Sequence, residues 1–235
     1  MTTTLITGAT KGIGLATARR LAELGHTVLL GARDLERGRR AAEEIGARAV
    51  QLDVTDEASV RAAADVVAGL GGLDVLVNNA GIEPRREDNS VPPAGETTGE
   101  DLLRVLDTNT IGPVRVLHAF LPLLQRSSAP VVVNVSSGLA SLTTMSTPGS
   151  LASAYPGIAY PASKAAVNML TVQYAKAFPQ MRINAVEPGF TRTDLNGNTG
   201  TQTVEEAAEV VARLATIGPD GPTGTFQSKD GPLPW

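Results

Sequence analysis

Short β-branched or leucine-rich runs alternate with amphipathic helical stretches from one end of this chain to the other. The runs are Thr3 to Thr7, Thr27 to Ala32, Ala47 to Leu52, Leu73 to Asn78, Pro130 to Val135, Arg182 to Val186 and a short one at Thr225-Phe226. Parallel strands need a long crossover connection, and a helix supplies it, so this alternation predicts α/β architecture. The expected fold is a doubly wound parallel sheet of seven strands with helices on both faces. At 235 residues the chain is expected to form one domain over residues 1–235. That length can bury roughly 70% of the surface an unfolded chain exposes.

Punctuation marks the helices. Leu15 to Leu24 stops at Gly25, and Leu35 to Ile45 stops at Gly46, each glycine in the place of a helix C-cap. Thr98 and Asp101 offer capping oxygens ahead of apolar spacing that runs from Leu102 to Leu124, with a disturbance expected at Gly112-Pro113. A further helix is expected from Pro161 to Phe178, ended by Pro179. Two stretches, 83–99 and 141–157, read as loops, and loops of that length in a compact domain usually serve a site.

Composition excludes several classes of function. Aromatic residues are 3%, so the core is expected to be aliphatic. Net charge is −4, without a block of basic residues, which removes the electrostatic footprint of nonspecific nucleic-acid or anionic-lipid binding. There is no cysteine, so disulfides and thiolate chemistry are absent and no oxidising compartment is called for. The two histidines, His26 and His118, stand isolated, and no metal site is expected. No apolar run approaches the ~20 residues that span a bilayer, and no export signal is read at the start. The expectation is a cytoplasmic protein, not bound to a membrane, with a small-molecule partner.

The first run ends in Thr7-Gly8-Ala9-Thr10-Lys11-Gly12-Ile13-Gly14. A strand, a glycine turn and a helix N-terminus present unpaired backbone N–H groups and the positive end of a helix dipole, which suits a pyrophosphate. The spacing is GxxxGxG, so it matches neither the GxGxxG dinucleotide fingerprint nor a Walker loop. It does resemble the opening signature of the short-chain dehydrogenase/reductase family, and the resemblance extends over essentially the whole chain. It implies a Rossmann-type fold. It also implies cofactor contacts from Gly8, Thr10, Lys11, Gly12, Ile13 and Gly14. Asp53 and Val54 resemble the pair that brackets the adenine. Asn78-Asn79-Ala80-Gly81 matches the family's NNAG motif, with Asn79, Ala80 and Gly81 along the cofactor.

The nicotinamide cofactor is read from the end of the second run. Where NAD enzymes of this kind carry an acid, this chain has Ala32, followed by Arg33. A guanidinium can pair bidentately with a 2′-phosphate, and Lys11 supplies a second cation on the same side. The expected cofactor is therefore NADP(H). Asp34 next door reads as a helix N-cap, although a one-residue shift in alignment would favour NAD.

Tyr160-Pro161-Ala162-Ser163-Lys164 places a phenol and an ammonium on one helical face. A phenol titrates near ~10, so work at neutral pH asks for a downward shift of roughly 3 units, about 4 kcal/mol, and a nearby cation favours the phenolate. Within the resemblance, Lys164 and the oxidised nicotinamide are those cations, and Lys164 also bonds the nicotinamide ribose. Ser137, with Ser136 as the second choice, polarises the substrate carbonyl. Asn109 joins a water relay through the lysine. Pro188-Gly189 and a threonine, Thr191 or Thr193, contact the nicotinamide carboxamide. The implied reaction is hydride transfer between the nicotinamide and a carbonyl carbon, with Tyr160 as acid and base.

The spacing from Ser137 to Tyr160 exceeds the family's usual one, and together with the tail it resembles the carbonyl-reductase branch. The insertion falls near the helices by which most members dimerise, so homodimer, homotetramer and monomer all stay open. The segment from Asp194 to Thr203 is short where many members carry a substrate lid. Leu139, Tyr155, Phe190 and Leu195 are therefore expected as walls of an open apolar pocket for a ketone, an aldehyde or the corresponding alcohol. Two other readings compete: a nucleotide-sensing regulator without turnover, and a sugar-nucleotide epimerase or dehydratase. A sensor has no need for all of Asn109, Ser137, Tyr160 and Lys164, and the epimerase group carries different glycine spacing and a larger C-terminal region.

Overall fold

The computed structural model describes residues 2–235. Its strands are β1 (Thr3–Thr7), β2 (Thr27–Ala32), β3 (Arg48–Gln51), β4 (Val75–Asn78), β5 (Val131–Val135), β6 (Arg182–Val186), β7 (Phe226–Ser228) and β8 (Gly231–Pro232). They form one sheet in the order β3-β2-β1-β4-β5-β6-β7-β8. The first seven pair in parallel, and β8 returns antiparallel on β7. The eighth strand corrects the expected seven. It is two residues long, a glycine with φ +119 and a proline, so it carries no alternation to read.

The helices are α1 (Gly12–Glu23), α2 (Leu35–Glu43), α3 (Glu57–Gly69), α4 (Gly99–Leu106), α5 (Gly112–Leu124), α6 (Leu142–Ser146), α7 (Ala159–Ala177) and α8 (Val204–Ala215). α1 begins at Gly12, ahead of the expected Leu15, because glycines add no apolar side chain to the pattern. At its end Gly25 takes φ +84 and lets His26 N–H reach the carbonyl of Leu21 at 3.0 Å, satisfying an end carbonyl. The helix expected from Leu102 to Leu124 is α4, a π-helical turn at Asp107–Ile111, and α5. The disturbance thus lies before Gly112-Pro113 and not at that pair. Pro113 sits in the first turn of α5, where its missing N–H has no partner to lose.

Alternate residues of each strand feed opposite layers. Leu5, Leu29, Leu76 and Val132 pack with Val60, Val116, Leu117 and Phe120 on one face. Ile6, Leu30, Val77 and Val133 pack with Leu21, Val210, Val211 and Leu214 on the other. With β1 and β4 adjacent, the chain winds left and right from a switch point, and the carboxyl ends of β1, β4, β5 and β6 open on one edge. The two long loops meet there. Ala94 N–H donates to the carbonyl of Pro156 at 2.9 Å, and Gly157 lies so close to Val91 that a Cβ would fall 2.7 Å from its Cγ1.

Candidate active site

The turn after β1 is built for close approach. Gly8 and Gly12 take φ +63 and +59, which other L-residues rarely adopt. A Cβ on Gly14 would lie 2.5 Å from Asn79 Nδ2 and 2.8 Å from the carbonyl oxygen of Gly8. That space matters because Asn79 Nδ2 donates to the carbonyls of Thr7 at 2.9 Å and Gly8 at 3.1 Å. Thr7 was not singled out in the sequence, yet its hydroxyl accepts from the N–H groups of Asn79 and Ala80, both at 3.0 Å, tying β1 to β4.

Lys11 at the N-cap of α1 makes no side-chain capping bond, whereas Asp34 caps α2 and Asp56 caps α3. The first-turn amides of α1 are therefore left for another acceptor, and a pyrophosphate fits that cradle. Arg33 is exposed just past β2 and forms no ion pair among the described residues. Asp34 accepts from Arg37 N–H at 3.0 Å, so its carboxylate is committed to the helix. Lys11 does not stand free beside Arg33. Its Nζ meets Asp194 at 2.6 Å, joining the glycine turn to the segment after β6. Asp53 accepts from the N–H and hydroxyl of Thr55, at 2.9 and 2.7 Å, while Val54 packs under Gly112.

Four groups converge beyond the ends of β4 and β5. Lys164, one turn inside α7, is 4% exposed, and its Nζ donates to the carbonyl of Val135 at 2.7 Å and lies 5.7 Å from the centre of the Tyr160 ring. The Ser137 hydroxyl is the polar neighbour that favours the ionised form of Tyr160, and its oxygen accepts from Leu139 N–H at 3.2 Å. Ser136 points the other way, donating to Asn168 Oδ1 at 2.7 Å and 2% exposed. Asn109 sits in the π-helical turn, a backbone form associated with functional positions. It accepts from Ile82 N–H at 2.8 Å and donates to the Ile82 carbonyl at 2.9 Å and to Ser163 Oγ at 3.0 Å. A Cβ on Gly81 would lie 3.5 Å from both Asn109 Oδ1 and Lys164 Nζ, so that glycine leaves the amine uncovered.

The electrostatics depart from the sequence expectation. The Tyr160 phenol is pushed above its ordinary value, not below it. Burial is the largest cause, Glu83 and Glu187 add to it, and the Ser137 hydroxyl and Arg85 oppose it. Burial also pulls the Lys164 ammonium down to about 8. The cost of burying an anion sets the direction of the Tyr160 shift, and the two neighbouring carboxylates reinforce it. Tyr160 is therefore protonated at neutral pH, which suits a proton donor.

After β6, Gly189 turns with φ +93, and its N–H donates to Glu187 at 2.9 Å. Burial raises the Glu187 carboxyl, opposed by hydrogen bonds from the Gly189 and Gly138 backbones. The Thr191 hydroxyl is turned inward, to the carbonyl of Gly189 at 2.9 Å and Gln202 at 3.0 Å. Thr193 faces the glycine turn, with Cγ2 3.7 Å from a Cβ built on Gly12.

Of the four expected pocket walls, Tyr155 borders the cleft beside Tyr160, together with Pro84, Val91 and Ile158. Leu139 stands beyond it, and Phe190 and Leu195 are exposed on the segment after β6. The cleft is not purely apolar, because Thr97 and Asp101 also line it. Behind Tyr155 stand Glu83, which accepts from the Tyr155 hydroxyl, and Arg85, which is paired with Glu83. The sequence signal for them was two charges one residue apart just past the asparagine motif.

A family model described as short chain dehydrogenase matches residues 2–204. A short-chain dehydrogenase/reductase 1 from Saponaria officinalis is 35% identical over 287 residues, spanning 98% of this chain and 95% of that protein. A (+)-neomenthol dehydrogenase from Arabidopsis thaliana is 35% identical over 281 residues, spanning 96% and 95%. Among solved structures, an NADPH-bound carbonyl reductase from chicken fatty liver superposes with a TM-score of 0.85 at 28% identity, covering 99% of this chain and 98% of that one. Among the described residues no helix is long and apolar enough to cross a membrane, and no group of three or more His, Asp or Glu is placed to hold a metal.

Proposed function

Because the chain belongs to the short-chain dehydrogenase family, we propose that it reduces the carbonyl of an uncharged ketone or aldehyde with NADPH, Tyr160 delivering the proton. The observation that carries this reading is the cluster itself: a buried amine under the Tyr160 ring, with Ser137 as the phenol's polar neighbour, at the sheet edge that also holds the uncapped glycine turn. Cofactor and substrate groups share one edge, so both functions are assigned to one domain.

The dinucleotide supplies the hydride, and the residues of this chain do the rest. Gly8, Thr10, Gly12, Ile13 and Gly14 would hold its pyrophosphate, with Asn79, Ala80 and Gly81 along its length and Pro188, Gly189 and Thr193 toward the nicotinamide. Ser137 donates a hydrogen bond to the substrate oxygen as negative charge grows there, a donor held in place at the end of β5 before the reaction begins. Tyr160 gives its proton to the same oxygen, and Lys164 stabilises the phenolate left behind. Asn109 fixes the backbone of Ile82 and the start of α7, keeping these groups in register. Keeping all four groups in one cluster favours turnover over sensing. The absence of cysteine suits a reducing compartment, and we place the protein in the cytoplasm.

A panel of ketones, aldehydes, quinones and keto esters against NADPH and NADH, followed by nicotinamide absorbance, tests the reading. Consumption of NADPH with uncharged carbonyls is the expected result; failure with every class would overturn it. Arg33→Ala addresses the cofactor. Losing a charged hydrogen bond of about 1.5–3 kcal/mol should raise the Michaelis constant for NADPH at least about tenfold, with that for NADH little changed. Equal values for wild type and variant would remove Arg33 from the 2′-phosphate site.

A further inference from the structure

The loop after β4 carries two charges that the reaction does not use. The Glu83 side chain is 6% exposed. One carboxylate oxygen accepts from the Tyr155 hydroxyl at 2.6 Å, and the other accepts from Arg85 Nη2 at 2.6 Å and Nε at 3.0 Å. The remaining Arg85 Nη1 donates to the carbonyl of Asn89 at 2.9 Å. Tyr155 and Tyr160 border the same cleft.

Arg85 is linked to the cleft wall through Glu83 and Tyr155, and a guanidinium is the side chain best suited to anchor a substrate carboxylate, through two parallel N–H bonds. Here that fork is already filled from within the protein. Stability alone is a poor reason for such a pair, because desolvating two charges offsets most of their attraction. Discrimination is a better one: a site rejects the wrong ligand by leaving it no partner or facing it with like charge.

We propose that Glu83 determines substrate charge: by occupying the Arg85 fork behind Tyr155, it denies that guanidinium to anionic carbonyl compounds and restricts the site to uncharged ones. The inference rests on the carbonyl-reduction reading above and names its substrate class. Tyr155 acts as the brace, because its hydroxyl bond to Glu83 ties the insertion before α7 to the loop after β4.

The charged and titratable groups around Tyr160 are Glu83 and Arg85 from that loop, Tyr155 from the insertion, Glu187 after β6 and Lys164 on α7. Glu83→Gln keeps the shape and an acceptor for Tyr155 but leaves Arg85 uncompensated. The phenol then loses a neighbour that raises it, and the alkaline limb of the rate profile moves to lower pH.

The test compares phenylglyoxylate with its ethyl ester, which differ in the charge beside the same carbonyl. Wild type is expected to use the ester and discriminate against the acid. Glu83→Gln should raise kcat/KM for the acid at least about tenfold, with the ester within about threefold, as an opened bidentate site implies. A second readout needs no turnover: calorimetric binding of phenylglyoxylate in the presence of NADP+, expected to tighten by a similar factor in Glu83→Gln. If wild type turns over neither compound yet the binding tightens, the reductase reading fails and the charge-gate stands. An unchanged acid-to-ester ratio or unchanged binding in a folded Glu83→Gln protein overturns the gate.

Discussion

Tyr160→Phe is expected to lower kcat/KM for carbonyl reduction by about 10²- to 10⁴-fold, the range contributed by a positioned proton donor. The ring stays, so its packing over Lys164 is kept, and the change removes one hydroxyl that neighbours Ser137. NADPH affinity should therefore stay within about twofold, because a uniform binding contact is not what is lost. Stopped-flow single turnovers with a saturating neutral ketone, beside a fluorescence titration of NADPH, separate the two quantities. Retained turnover would remove Tyr160 from proton transfer. Loss of NADPH binding together with turnover would make it a cofactor-binding group instead.

Lys164→Met is expected to abolish most activity and yet stabilise the fold at pH 7. Lys164 is held at about 8 against an ordinary 10.5, a difference worth about 3 kcal/mol in the cost of carrying its charge inside the protein. Losing the bond to Val135 leaves a buried carbonyl short of a donor, which costs about 1 kcal/mol or more. The larger effect wins, and a net gain of about 1–2 kcal/mol follows. The sign can be checked against pH. A lysine whose folded pKa is depressed penalises folding fully below about 8, and the penalty fades as pH rises toward the unfolded value near 10.5. Urea midpoints for wild type and variant should thus approach each other above pH 8 and cross before pH 10.5, where only the lost bond to Val135 separates them. A variant less stable than wild type at pH 7 would show that the ammonium is well solvated in the native state.

Strand positions were legible because each run is short, apolar and bounded by turn residues, and β1, β2 and β6 fall on the expected residues. β3 and β4 come out shorter at their ends, where single apolar residues such as Leu52 and Leu73 extend the pattern beyond the ladder hydrogen bonds. The disturbance in the helix through Asn109 was visible as a helix breaker but misplaced. The π-helical turn is set by the Asn109 side chain reaching Ile82 and Ser163, contacts made across 27 and 54 residues, which no local pattern records.

The site divides in the same way. Its motifs could be found in the chain because most lie at strand ends with distinctive neighbours, and the Tyr160–Lys164 pair shares one helical turn. The direction of the Tyr160 shift could not, because it depends on burial and on Glu83, Arg85 and Glu187, which come from other segments. Lys11 was expected near a phosphate, and its bond to Asp194 spans 183 residues.

Taken alone, the amino-acid order determined the alternation of strands and helices, the edge at which their carboxyl ends would gather, and the residue types available there. Periodicity and turn chemistry act over a few neighbours and are written into the chain directly. Tertiary structure decided which serine faces the phenol, what fills the Arg85 fork and which way the buried tyrosine and lysine titrate. Those outcomes depend on distance and on exclusion of water, and both come into being only when remote segments pack together.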